Sequence, residues 1–185
     1  MRTFIAIDLD GPLKKNLEAL IDELRPNGKN IRWVNAQGMH LTLKFLGEVL
    51  DQDISRLAGL LENLVKSHSA FDLKLQGTGW FPPGRKNPRV LWVGVEADPS
   101  IGSLQEDIET AVEKLGFPRE AREFHPHLSL GRVKFPSRLE LLLSDLEKHR
   151  ETVFGEMRVL KVILFRSTLK PSGAEYSVLS EFPLG

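Results

Sequence analysis

Two segments of matching pattern, one in each half of the chain, constrain the fold more than any other feature of this sequence. HLTLKFLGEV begins at His40 and HLSLGRVKF begins at His127, 87 residues later in a chain of 185. A spacing close to half the length marks an internal duplication. Each segment alternates with a period of two, as a half-buried strand does. In the first, Leu41, Leu43 and Phe45 face a helix-covered core, while His40, Thr42 and Lys44 face the other way. In the second, Leu128 and Leu130 supply the apolar face, and His127 and Ser129 take the places of His40 and Thr42.

The surrounding elements repeat in the same order. Arg2 to Leu9 reads as a strand, followed by a helix carrying Leu13, Leu17, Leu20, Ile21 and Leu24, with Asp10 as its cap and Pro12 in its first turn. A short strand at Ile31 to Val34 precedes the strand His40 to Leu46. Next come a helix capped by Asp51 or Asp53 and a strand from Phe71 to Leu75. The second half gives a strand at Arg89 to Val95, a helix from Pro99 to Leu115, the strand His127 to Val133 and a helix around Leu139 to Leu146. A long strand, Met157 to Thr168, and a last one, Glu175 to Ser180, close the chain across Pro171-Ser172-Gly173. The absence of a Gly-rich strand-to-helix turn argues against a parallel doubly wound sheet. The expected fold is α+β and bilobal, a single domain over 1–185. Two pseudo-symmetric lobes each hold a mainly antiparallel sheet with helices on its outer face, and a cleft lies between them.

Composition narrows the chemistry. The chain has no cysteine, which removes disulfides, thiolate nucleophiles and sulfur-ligated metals. Lys and Arg number 25 against 25 Asp and Glu, a balance unsuited to non-specific duplex binding but compatible with recognition of one nucleotide end. Apolar runs fall far short of a membrane span, and no secretory signal is legible. The expectation is a cytoplasmic monomer without a membrane partner.

Five histidines therefore carry the chemistry. Of two imidazoles flanking a substrate, a neutral one accepts a proton while a charged one donates. In-line displacement at phosphorus needs such groups on opposite walls, and two lobes with one histidine each provide them. No metal or cofactor is needed. Thr42 and Ser129 are placed to donate to non-bridging phosphate oxygens, each worth about 2.7–4 kcal/mol of barrier. Lys44 shares the strand face of His40 and reaches a phosphate or lies solvated. Arg132 is out of phase with that face unless Gly131 introduces a bulge. Trp33, beside Arg32, borders the cleft or fills a lobe core. Phe81 and Arg85, in GWFPPGRKNPR, suit base stacking and phosphate binding, or form a plain hairpin loop. His125 and His127 form a His-x-His pair, but no third ligand follows at hydrolase spacing. His68 and His149 end predicted helices and suit the negative end of the dipole.

With FIAIDLD, RWV, MHLTLKFLGEV, PRVLWVGV, FHPHLSLGR and STLKPSGAEYSVL, nearly the whole chain resembles the 2H phosphoesterase superfamily. Within that superfamily it is most similar to the RNA 2',3'-cyclic phosphodiesterases. The resemblance implies hydrolysis of a terminal 2',3'-cyclic phosphate to a 2'-phosphomonoester, and reversible 2'-5' RNA ligation. It also implies His40 as proton donor to the 3'-oxygen and His127 as proton acceptor from water. Ser129 stands where the family more often has Thr, which keeps the hydroxyl. Two rivals stand beside this reading. One is a 2H enzyme acting on a small cyclic nucleotide or ADP-ribose cyclic phosphate, and the other is an RNA-end binding module without turnover.

Overall fold

The computed structural model describes residues 1–84, 87–171 and 173–185. In chain order the elements are β1 (Arg2–Asp8), α1 (Gly11–Leu24), β2 (Ile31–Trp33), β3 (His40–Glu48), α2 (Asp51–Val65), β4 (Phe71–Phe81), β5 (Val90–Ala97), α3 (Ser100–Glu113), β6 (His127–Val133), α4 (Glu140–Lys148), β7 (Val153–Val159), β8 (Lys161–Lys170) and β9 (Gly173–Pro183). The strands form two antiparallel sheets, a four-stranded one in the order β3-β1-β8-β9 and a five-stranded one in the order β2-β6-β5-β4-β7. The fold is α+β.

Local chemistry explains the helices. In α1, Leu13, Leu17, Leu20, Ile21 and Leu24 are all buried, and the Asp10 carboxylate accepts from the Leu13 backbone N–H at 2.9 Å. That bond satisfies one of the helix's orphan donors. Helix α2 departs from expectation: Leu50 is its cap, and Asp51 and Asp53 sit inside the first turn. There they offset the dipole without capping it.

The lobes do not coincide with the two halves of the chain. In one sheet the histidine strand β3 flanks β1, whose other neighbour β8 comes from the second half. In the other, the histidine strand β6 flanks β5, whose other neighbour β4 comes from the first half. Each half thus lends two strands to the opposite sheet, β8 and β9 from the second half and β2 and β4 from the first. The helices cross as well, since α1 packs on β7 and α3 packs on β3. The long strand read over Met157 to Thr168 is two strands. It breaks at exposed Leu160, where the chain passes from the five-stranded to the four-stranded sheet. One hydrophobic core runs under both sheets, from Ile5 and Leu41 to Leu91 and Leu130.

Candidate active site

The two histidine strands, β3 and β6, run close to each other where the sheets meet. His40, Thr42, His127, Ser129 and Arg132 line a single cavity of about 790 Å³. The rings are held alike: His40 Nδ1 lies 2.9 Å from the Gly38 carbonyl oxygen, and His127 Nδ1 lies 2.7 Å from that of His125. A carbonyl only accepts, so each Nδ1 carries the hydrogen and each Nε2 is left for the cleft. Among the described residues, neither the Thr42 nor the Ser129 hydroxyl has a hydrogen-bond partner.

A bulge repeats in both strands. On β3, Ala6 pairs with Thr42 and Ile5 with Lys44, leaving Leu43 without a direct partner. On β6, Trp92 pairs with Ser129 and Leu91 with Gly131, leaving Leu130 without one. An extra residue reverses the faces of all that follow. Arg132 is thereby returned to the cleft face, as a bulge at Gly131 requires. A Cβ on Gly131 would lie 2.5 Å from Ile31 Cγ2, so the glycine lets β2 approach.

On β3 the same device overturns the expected orientation of Lys44 and Phe45. Lys44 turns toward the helices, where its ammonium meets Glu109 Oε2 at 2.7 Å and the Pro118 carbonyl at 2.6 Å, with both side chains about 95% buried. Its charge is already compensated, so it is not a free phosphate ligand. Phe45 takes the cleft face instead, 64% exposed and 5.9 Å from the Phe4 ring.

Aromatic residues that sequence reasoning missed surround His40. Phe4 stacks on the imidazole at 4.5 Å, Tyr176 meets it edge-on at 4.8 Å, and Phe165 lies 5.7 Å away. Tyr176 comes from β9, at the far edge of the sheet from β3, so the sheet must curl for the two rings to meet. Burial among these rings pushes the His40 pKa below its ordinary value. The bond to Gly38 and the charge of Asp8 oppose that shift, and Lys14 adds to it. His127 is exposed.

The remaining sequence candidates lie elsewhere. Trp33 packs against the core, donating its indole N–H to the Gly28 carbonyl at 3.2 Å, and is absent from the cavity lining. Phe81 is exposed at the end of β4 and does not line the cavity. Arg85 lies outside the described residues. His125 is the exception, exposed but lining the cavity, 3.6 Å from Glu123. His149 is the C-cap of α4 and His68 lies three residues past the end of α2, and their rings meet Glu23 and Asp107 at 2.8 and 2.9 Å. Trp92, paired with Ser129, shares its sheet face but does not line the cavity. Gly79 is needed beneath it, because a Cβ there would collide with the indole. Among the described residues no helix is long and apolar enough to cross a membrane.

The chain is similar along its length to known proteins. The chain is 38% identical over 182 residues to an RNA 2',3'-cyclic phosphodiesterase of Thermotoga maritima, covering 98% of this chain and 94% of the relative. It is 33% identical over 187 residues to one from Methanothermobacter thermautotrophicus, covering 100% and 99%. Among solved structures, a Thermus thermophilus protein superposes with a TM-score of 0.83 at 31% identity, over 100% of this chain and 98% of that one. Escherichia coli LigT complexed with 3'-AMP gives 0.79 at 25%, over 99% and 97%. The family model of the 2'-5' RNA ligase superfamily matches residues 13–169, a stretch that takes in both histidine strands and the bulges that shape them, and the chain belongs to that superfamily.

Proposed function

We propose that this protein hydrolyses the 2',3'-cyclic phosphodiester at an RNA end to a 2'-phosphomonoester, with His40 and His127 as acid and base. The observation that carries this reading is the shared tether: two imidazoles, each bound through Nδ1, share one cavity with two unengaged hydroxyls and an arginine. His127 Nε2 takes a proton from water as its oxygen attacks phosphorus. The bond from phosphorus to the 3'-oxygen breaks, and the Nε2 proton of His40 goes to that oxygen. Thr42 and Ser129 donate to the non-bridging oxygens, where negative charge grows. Arg132 adds its positive charge. With an RNA 5'-hydroxyl in place of water as the nucleophile, the same groups in the same roles would break the bond to the 3'-oxygen and join the two ends as a 2'-5' link. A cytoplasmic location fits a chain without cysteine.

The direct test incubates the protein with an RNA ending in a cyclic phosphate, in EDTA. The expected product is a 2'-phosphomonoester. A 3'-phosphate would reverse the leaving group, and a metal requirement would remove the two-imidazole mechanism. The pH profile carries a second expectation. If His40 is the donor, kcat/KM must fall as pH rises through its lowered pKa, placing the alkaline limb below the usual imidazole range. Bound phosphate favours the charged ring, so the same limb in kcat should lie higher. Equal limbs for the two parameters would contradict the donor role.

Thr42→Val and Ser129→Ala are each expected to lower kcat about 100-fold, the low end of what losing one donor to a developing oxyanion costs. Single-turnover kinetics with substrate saturating separates this loss from weaker binding. A change confined to KM would assign the hydroxyls to ground-state binding.

A further inference from the structure

Beside Arg132 the five-stranded sheet holds a second arginine. Arg32 on β2 is paired directly with Arg132 on β6, and directly paired residues of antiparallel neighbours set their side chains on one face. Both are exposed. Like charges placed opposite each other repel and weaken the sheet. Among the described residues neither guanidinium has an acidic partner. Lys134, just past the end of β6, is exposed and lines a neighbouring cavity with Arg32 and Glu18. In a chain of zero net charge, two paired guanidiniums without an acidic partner among the described residues at one sheet edge form a local anion-binding surface.

Their position gives the ligand's shape. His127, Ser129 and Arg132 follow one another along β6 into the cavity, whereas Arg32 stands one strand further out, about 4.8 Å away across the ladder. The reacting phosphate is claimed by the inner groups, so the outer cations suit a second phosphate on the same molecule. A guanidinium fork matches phosphate oxygens better than an ammonium.

We infer that Arg32, beside Arg132 and Lys134, binds the backbone phosphate next to the reacting end, so that the substrate is the end of a single-stranded oligonucleotide and not a free nucleoside cyclic phosphate. This rests on the phosphodiesterase reading and names its substrate class.

Two measurements test it. In the first, a fluorescent trinucleotide ending in a 2'-phosphate, which the reaction cannot consume, is titrated with the wild type, Arg32→Gln and Arg32→Lys, with circular dichroism as a check on folding. Arg32→Gln should bind about tenfold or more weakly, with the log–log salt slope shallower by about 0.7 and Arg32→Lys in between. In the second, kcat/KM is compared for a trinucleotide and a mononucleoside cyclic phosphate. The wild type should prefer the trinucleotide, and Arg32→Gln should shrink that preference by the same factor, through KM. Equal affinities, or an unmoved preference, would overturn the inference. Arg32-dependent binding in a wild type that turns over neither substrate would uphold the phosphate site and overturn the phosphodiesterase reading.

Discussion

Replacing His40 by Gln, or His127 by Ala, is expected to lower turnover of a cyclic-phosphate RNA end by between about 100- and 10,000-fold, the range lost with general acid or base help. The double variant should be little worse than the more damaging single one, because acid and base act in the same transition state and their losses do not add. His40→Gln also has a stability signature. Burial holds the folded-state pKa of His40 below the unfolded value, so the unfolded chain binds the proton more readily. Its contribution to stability is therefore complete above the unfolded pKa and is lost as pH falls through 6.5 toward the lowered value. The Gln variant should lose less stability between neutral and mildly acid pH than the wild type. Denaturant titrations at several pH values read this directly, and turnover near the wild-type rate in either single variant would exclude that histidine from proton transfer.

Lys44→Met is expected to cost about 3–5 kcal/mol of stability, because it leaves the Glu109 carboxylate buried without its counter-charge. For a chain of this size that corresponds to a fall in Tm of about 6–20 °C. Glu109 also accepts from the Gln105 side chain at 3.3 Å and from the Glu120 backbone N–H at 3.2 Å, and Lys44 donates to the Pro118 carbonyl. The pair therefore fastens the segment that leads from α3 to His127, so kcat should fall together with Tm. Lys44→Met combined with Glu109→Leu should recover much of the stability, since removing both charges avoids the desolvation cost that removing one exposes. A double variant as unstable as the single one would show that packing rather than charge governs the position.

Much of this architecture was legible in the chain itself. The leucine stripe of α1 and its Asp10 cap are local signals, and local chemistry decides them. His40 and His127 were found because the duplication repeats their neighbours as well. Lys44 was misplaced because strict alternation assumes an unbroken register. Whether Leu43 is left out of the ladder depends on how β1 hydrogen-bonds to β3, through partners nearly forty residues away. The aromatic surroundings of His40 were hidden for a related reason: Tyr176 reaches it only because a sheet curls, a property of several strands together. The break at Leu160 has no local marker, because no Gly or Pro interrupts the sequence there, and only the choice of neighbours separates β7 from β8.

The lending of β2, β4, β8 and β9 between sheets has a mechanical consequence. Each bank of the cleft is stitched to the other by its own backbone over a shared apolar floor, so the gap between the imidazoles is no hinge coordinate. Opening it would mean splitting that shared apolar floor. Capture of a nucleic-acid end then needs no closing jaw, and the chemistry meets a gauge already set when the chain folded.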